Sequence, residues 1–385
     1  MTSLRNILLA GVAVLAAGAA HAQALSNAVA VPLQAAEQAL SGHRFSAALH
    51  DVAQAEAVPG KTAAETLTIA QVRAAIDAAR GAPAAAAADY AALLATGDVP
   101  PAQATPMAEA EASSYYQAGD YADAAAAIKA NLMDDPRYQQ LLVQSYFKMN
   151  DCPALAQAVG PHAAKASLQM VAYCYASKQD NAGYVKALEA LVRSYPSPTY
   201  WTQLLGQLGA NPDYSDRLAL DFFRLQLAAG VTLTEPAYME AAQEALQAGL
   251  NNEAQAIVTQ GFASGVMGTG ADLDRQNRLK ALIATRVAAQ GAAQAAAISQ
   301  AQAAHDEQTL FNVGWNQVEG GDAGGLAMME DAIRSGGITQ VAQAELEMGI
   351  AYKEAGQAQK AKAMWRAVHD DDGAQTLAGL WPEVK

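Results

Sequence analysis

Catalysis needs convergent polar groups, and the chain offers few. Its six histidines, His21, His43, His50, His162, His305 and His369, are scattered. There is no H-E-x-x-H zinc site, no G-x-S-x-G nucleophile turn and no G-x-x-x-x-G-K-[ST] phosphate loop. His369-Asp370-Asp371-Asp372 gathers donors that a hard cation favours, but further ligands at loop spacing are missing. It reads as a solvated helix end. Gly265–Gly270 resembles a phosphate cradle only in glycine content, with no lysine close behind, and reads as a flexible break. Glycoside hydrolysis needs two carboxylates across a cleft, and nothing singles out a pair among 38 acidic residues. The expectation is a binding protein, not an enzyme, with no cofactor and no metal.

Two cysteines, Cys152 and Cys174, could pair in an oxidising compartment or pack as buried thiols. The first sits at a helix-pair turn and the second on the next helix, so a disulfide is within reach. No C-x-x-C is present to support redox work.

The compartment follows from the N-terminus. Arg5 precedes an apolar stretch from Ile7 to Ala20, and Ala20-His21-Ala22 is an A-x-A cleavage site. This is the layout of a secretory signal peptide cut after Ala22, which implies the periplasm and no membrane insertion once the signal is removed. Gln23, not cysteine, follows the cut, so no lipid anchor is expected. The formal charge of -14 argues against nucleic acid, which needs a basic footprint, and against an anionic membrane surface.

Almost every segment has helical periodicity and almost none alternates as strands do. Breakers recur at short intervals: Gly42, Pro59-Gly60, Gly81-Ala82-Pro83, Pro100-Pro101, Gly119-Asp120, Asp135-Pro136, Gly160-Pro161, Pro196-Ser197-Pro198 and Asn211-Pro212. Such spacing implies helix–turn–helix units in an array. The tetratricopeptide-repeat (TPR) pattern is the test. Met348-Gly349-x-x-Tyr352-x-x-x-Gly356, followed by Ala361-x-x-x-Trp365, matches it. Val313-Gly314 and Gly321-Asp322 match one unit earlier; Gly314 to Gly349 and Gly321 to Gly356 are both 35 residues. Tyr115-x-x-x-Gly119-Asp120-Tyr121-x-x-Ala124 is a third match. Tyr146 with Asn150-Asp151, and Tyr175 with Asp180-Asn181, read as degenerate copies. The fold class expected is all-α, an α-solenoid of about eight to nine TPR-like pairs between Pro32 and Val368. Gly119, Gly314 and Gly349 should then hold equivalent places in matching pairs.

The organisation expected is a signal peptide (1–22), an N-terminal TPR-like solenoid (23–262), a glycine-rich break and long helical connector (263–304), C-terminal repeats (305–369) and a tail (370–385). Asp272–Ala304 could be one extended helix pair.

The chain resembles a group of exported TPR proteins of Gram-negative bacteria. The resemblance is carried by Gln179-Asp180-Asn181-Ala182-Gly183-Tyr184-Val185, Tyr214-Ser215-Asp216-Arg217-Leu218-Ala219-Leu220-Asp221, Gly261 through Gly270, Gly325-Leu326-Ala327-Met328-Met329-Glu330, Leu346 through Tyr352, Asp372-Gly373-Ala374 and Leu377-Ala378-x-Leu380-Trp381. It implies the fold and the compartment, and the wider TPR group implies protein binding through a concave surface. Cys152 departs from the pattern, so the resemblance implies no disulfide. With Tyr115, Tyr146 and Tyr175 packed between helices, Tyr116, Gln117, Gln140, Gln144, Phe147, Lys148, Gln169 and Tyr173 would face a groove. Aromatics provide contact area at low entropy cost, and amides bond a peptide backbone or sugar hydroxyls. The same aromatics could instead pack between repeats. The partner expected is a protein or peptide segment of an envelope assembly or transport system, with a glycan beside a polysaccharide exporter as the second candidate. Tyr200, Trp201, Trp315 and Trp365 read as packing residues.

Overall fold

The computed structural model describes residues 25–370 and 372–384. The expected signal segment and its expected cleavage after Ala22 lie outside the described residues, as does Asp371. The described chain is all-helical, without a strand. It divides into two compact units, Met1–Tyr184 and Val185–Lys385, with the boundary inside one helix and the glycine-rich segment inside the second unit.

Unit 1 contains α1 (Asn27–Ser41), α2 (Phe45–Glu56), α3 (Ala63–Ala79), α4 (Pro83–Ala95), α5 (Pro101–Ala118), α6 (Tyr121–Asn131), α7 (Pro136–Lys148), α8 (Cys152–Val159), α9 (Lys165–Ser177) and the start of α10 (Asn181–Ser194). Unit 2 continues with α11 (Pro198–Gly209), a short 3-10 turn (Asp216–Leu218), α12 (Ala219–Ala228), α13 (Glu235–Gln247), α14 (Asn251–Ala263), α15 (Leu273–Ala304), α16 (Glu307–Glu319), α17 (Gly324–Ser335), α18 (Val341–Glu354), α19 (Ala358–Ala367) and α20 (Ala374–Leu380). Within each unit consecutive helices pack as neighbouring pairs, an arrangement consistent with an α-solenoid.

One turn recurs at eight or more of the helix connections among the described residues. A residue with positive φ ends the first helix, and the next N–H bonds back five residues: Arg44 to Ala39 O, Ala82 to Asp77 O, Asp120 to Tyr115 O, Asp151 to Tyr146 O, Asp180 to Tyr175 O, Leu250 to Ala245 O, Asp322 to Gln317 O and Gln357 to Tyr352 O. This is the Schellman closure, which satisfies a carbonyl that the helix end would strand. In most of these hairpins the donor is also the N-cap of the second helix, so the connection is as short as it can be. Glycine suits the left-handed position, but His43, Asn150 and Gln179 occupy it with φ of 55°, 55° and 58°. Those turns are therefore weak in a glycine-based reading of the sequence.

The recurring turn corrects the expected phase. Gly119, Gly321 and Gly356 are the equivalent set, each left-handed at the turn. Gly314 and Gly349 sit seven residues earlier, inside their helices. Their role is close crossing. A Cβ on Gly349 would lie 2.1 Å from Trp365 Nε1, and one on Gly314 would lie 2.7 Å from Gly325 O. Ala112 is the equivalent of these two in α5. Trp365 Nε1 donates to Leu346 O at 3.1 Å, which seats the indole against α18. Gly349→Ala should therefore cost about 1–3 kcal/mol through overpacking. Urea denaturation would measure it, and an unchanged midpoint would mean that α18 and α19 do not cross this tightly.

Other segments also depart from the sequence reading. α1 starts before Pro32, which lies inside it. Asp272–Ala304 is not a pair: α15 is one 32-residue helix, because flanking alanines carry the helix through Gly291. The glycine-rich segment is packed. Met267 is buried against Gly261, its N–H donates to Gly261 O at 3.0 Å, and Gly268 N–H donates to Gln276 Oε1 at 2.7 Å. The terminal segment carries α20, whose Ala374, Leu377, Ala378 and Leu380 form a buried face. Trp381 follows, with its ring stacked on Trp365 at 5.7 Å.

Core side chains follow helical spacing. Val29, Leu33 and Ala36 of α1 meet Ala48, Val52 and Ala55 of α2 and Ile69, Val72 and Ile76 of α3. Alanine buries little area per residue, so these pairs rely on close approach repeated many times.

Candidate functional site

The proposed groove residues fall on α5, α7 and α9 of unit 1. Gln140, Gln144, Phe147 and Lys148 are spaced i, i+4, i+7 and i+8, one face of α7. Gln169 and Tyr173 are i and i+4 on α9. Two pairs meet: Tyr116 Oη donates to Gln144 Oε1 at 3.1 Å, and the Phe147 and Tyr173 rings approach to 6.1 Å. Tyr116 also packs against the buried cluster of Ala108, Ala112, Ile128 and Leu141, and its ring meets Tyr121 edge-on at 5.2 Å. Tyr116 is thus half a packing residue. Gln117, Gln140, Lys148 and Gln169 are exposed. Tyr173 is 66% exposed, a high value for a tyrosine ring. Of the tyrosines assigned to packing, Tyr175 lies against Gly183, where a Cβ would come within 2.2 Å of its ring.

Cys152 and Cys174 are joined, with Cα atoms 5.7 Å apart, and both are fully buried. The bond ties the first turn of α8 to α9, one residue from Tyr173. It therefore fixes the helix that carries the most exposed aromatic of the strip.

No protein-family model matches the chain, and no curated protein matches it. The remaining guide is unit 2 itself, which carries a group of residues that sequence spacing did not single out.

Arg224 of α12 is buried among carboxylates from three other positions. Its Nε and Nη2 donate to the two oxygens of Glu253 at 2.7 and 2.8 Å. Its Nη1 donates to Asp221 Oδ1 at 2.8 Å and to Glu347 Oε1 at 2.6 Å. The guanidinium lies over the Trp315 ring at 4.3 Å, and Gln343 Nε2 donates to Asp221 Oδ2 at 2.9 Å. Three carboxylates therefore share one guanidinium. Burial opposes the charge on Arg224, but Glu253, Glu347 and Asp221 outweigh it and hold the group protonated. Burial pushes Asp221 up, and Glu347 up to about 7, with Arg224 opposing both shifts. The one sequence signal was Asp221-x-x-Arg224 inside the apolar run from Leu218 to Leu227: charges placed where a core face belongs.

A pH dependence follows. A carboxyl whose folded pKa lies above its unfolded value binds more protons when folded. Its stabilisation is complete below the unfolded value and is lost as pH rises through the folded one. For Glu347 the window runs from 4.5 to about 7. Unit 2 should therefore lose on the order of 1–3 kcal/mol across that window. Carboxylates held low, such as Asp135 under its Arg137 hydrogen bonds, act below this range. Urea midpoints should be higher near pH 5 than near neutrality, and Glu347→Gln should flatten the slope. A midpoint rising through the window would contradict the assignment.

A cavity of about 330 Å³ opens beside this group, with Glu347, Gln343 and Arg217 in its lining. The Arg217 guanidinium donates to Asp372 and to Gln343 Oε1, the latter at 2.8 Å.

Proposed function

We propose that the chain is an exported, periplasmic TPR-type adaptor that holds a protein or peptide segment along the α5–α7–α9 strip of unit 1, and that it binds without catalysing a reaction. The observation that carries this reading is the exposed Tyr173 ring against Phe147, set beside the amides of Gln140, Gln144 and Gln169. A solvent-facing aromatic with neighbouring amides suits a peptide, whose side chains rest on the ring and whose backbone bonds the amides. The signal-peptide layout supports the compartment, and the recurring turn with small residues at helix crossings supports the TPR type.

A photo-crosslinking side chain at position 173, used in a periplasmic extract, tests the site. One stoichiometric protein adduct, lost in Phe147→Ala, is the expected result. The same adduct from a crosslinker at the distant exposed Val31, or no dependence on Phe147, would remove the strip from consideration. Oligosaccharide binding abolished by Tyr173→Ala would shift the ligand to a glycan, since sugar rings stack on the same surface.

A further inference from the structure

We propose that the outward face of α15 is a self-association surface, on which a second copy of the chain docks its own α15 in antiparallel orientation. This does not rest on the strip in unit 1. α15 is 32 residues long, yet only Gln276, Leu279, Ile283 and Ala301 are buried, all on one side of the helix. On the other side Leu282, Thr285, Ala289, Ala292, Ala296 and Ser299 follow at alternating steps of three and four, and each is exposed. Leu282 is 47% exposed, a large apolar side chain left in water. From Val287 to Ala304 the helix has no charged side chain. A solvated helix face normally carries charges. This face has instead the composition and the spacing of a helix–helix contact.

Charge selects the occupant. Arg275, Arg278, Lys280 and Arg286 crowd the first half of α15; all four are exposed, and none forms an ion pair among the described residues. Asp274 is the one acid on the helix. The second half is uncharged and runs straight into Asp306 and Glu307. α15 is therefore basic at one end and acidic just past the other, and the partial negative charge of its C-terminus adds to the acidic end. In a chain with a formal charge of -14, these cations are matched by the chain itself.

The same charges set the direction. A parallel copy would place Arg278 beside Arg278, a like-charge contact. An antiparallel copy turned about Ala292 brings Arg278 toward Glu307 of the second copy, sets Leu282 over its Ala303 and puts Ala289 beside its Ala296. One register satisfies all three, since each pair is centred on the same point of the helix. Small side chains let the two backbones approach closely, so the contact gains dispersion energy along a strip about 30 Å long. The pairing is two-fold and uses the same face on both copies, so it closes at the dimer.

Sedimentation equilibrium of the full chain over a concentration series tests this, with circular dichroism as the check on folding. The expected result is a monomer–dimer equilibrium. Ala292→Glu should weaken the dimer at least about tenfold. Ala284→Glu, exposed on another side of α15, should leave it unchanged and so controls for added charge. Orientation is read by crosslinking. Both native cysteines are held in the disulfide, so an added thiol has only its own copy to join. Under mild oxidation Ala292→Cys should form a covalent dimer. Leu282→Cys should not, but should join Ala303→Cys when the two variants are mixed. A monomer at every concentration, a dimer indifferent to Ala292→Glu, or a Leu282→Cys chain that joins itself would overturn the proposal. So would an Ala292→Cys chain that stays monomeric alone and joins a different protein in a periplasmic extract, since the face would then belong to another helix.

Discussion

Arg224→Met will destabilise unit 2 by about 3–5 kcal/mol near neutral pH, the largest loss expected from one substitution in this protein. Methionine retains much of the apolar volume, so the loss is not mainly a cavity effect. Removing the guanidinium leaves Asp221, Glu253 and Glu347 buried without their cation, and Trp315 loses the charge over its ring. Buried carboxylates without a partner escape by taking protons. The variant should therefore regain stability as pH falls, more steeply than the parent. Urea denaturation at two pH values checks both statements. A pH-independent loss would show that Arg224 packs rather than neutralises. Replacing Asp221 together with Arg224 by apolar residues should cost less than Arg224→Met alone, since it removes a stranded charge as well as its partner.

The second large effect concerns the disulfide. Cys152 and Cys174 close a loop with a sequence separation of 22. On chain-entropy grounds a loop of this size contributes about 3 kcal/mol by restricting the unfolded chain. The double variant Cys152→Ala/Cys174→Ala should lower the urea midpoint of unit 1 accordingly, and dithiothreitol under mild denaturant should do the same to the parent. The effect should extend to the proposed partner binding, because the bond holds α9 beside α8 and Tyr173 adjoins Cys174. Two free thiols in non-reducing mass spectrometry of periplasmic material would dismiss the prediction.

Much of the architecture was legible before the coordinates. Apolar residues at i, i+3 and i+4 mark the helices, and prolines at helix starts mark α4, α7, α11 and α13 closely, because proline is best suited to a first helical turn; Pro32 and Pro106, inside α1 and α5, are not such marks. Turn chemistry was legible where glycine carried it and obscure where His43, Asn150 and Gln179 did. Equating Gly119 with Gly314 and Gly349 mixed two glycine roles, the left-handed turn and the close crossing, which residue identity alone does not distinguish. The tail went unread because seven residues are too few for a helical period to stand out, and α20 exists through burial rather than propensity.

Spacing within one helix placed Gln140, Gln144 and Phe147 on a shared face, and the acidity and the proposed signal-peptide layout are likewise read from sequence alone. Tertiary structure alone decided that residues 221, 224, 253 and 347 meet, and that a cavity lies beside them. The physical reason is range. Periodicity records which face of a helix avoids water, and it acts over a few residues. Which distant carboxylate meets Arg224 depends on how the crossings at close-packed positions sum along the chain, and no local pattern holds that sum.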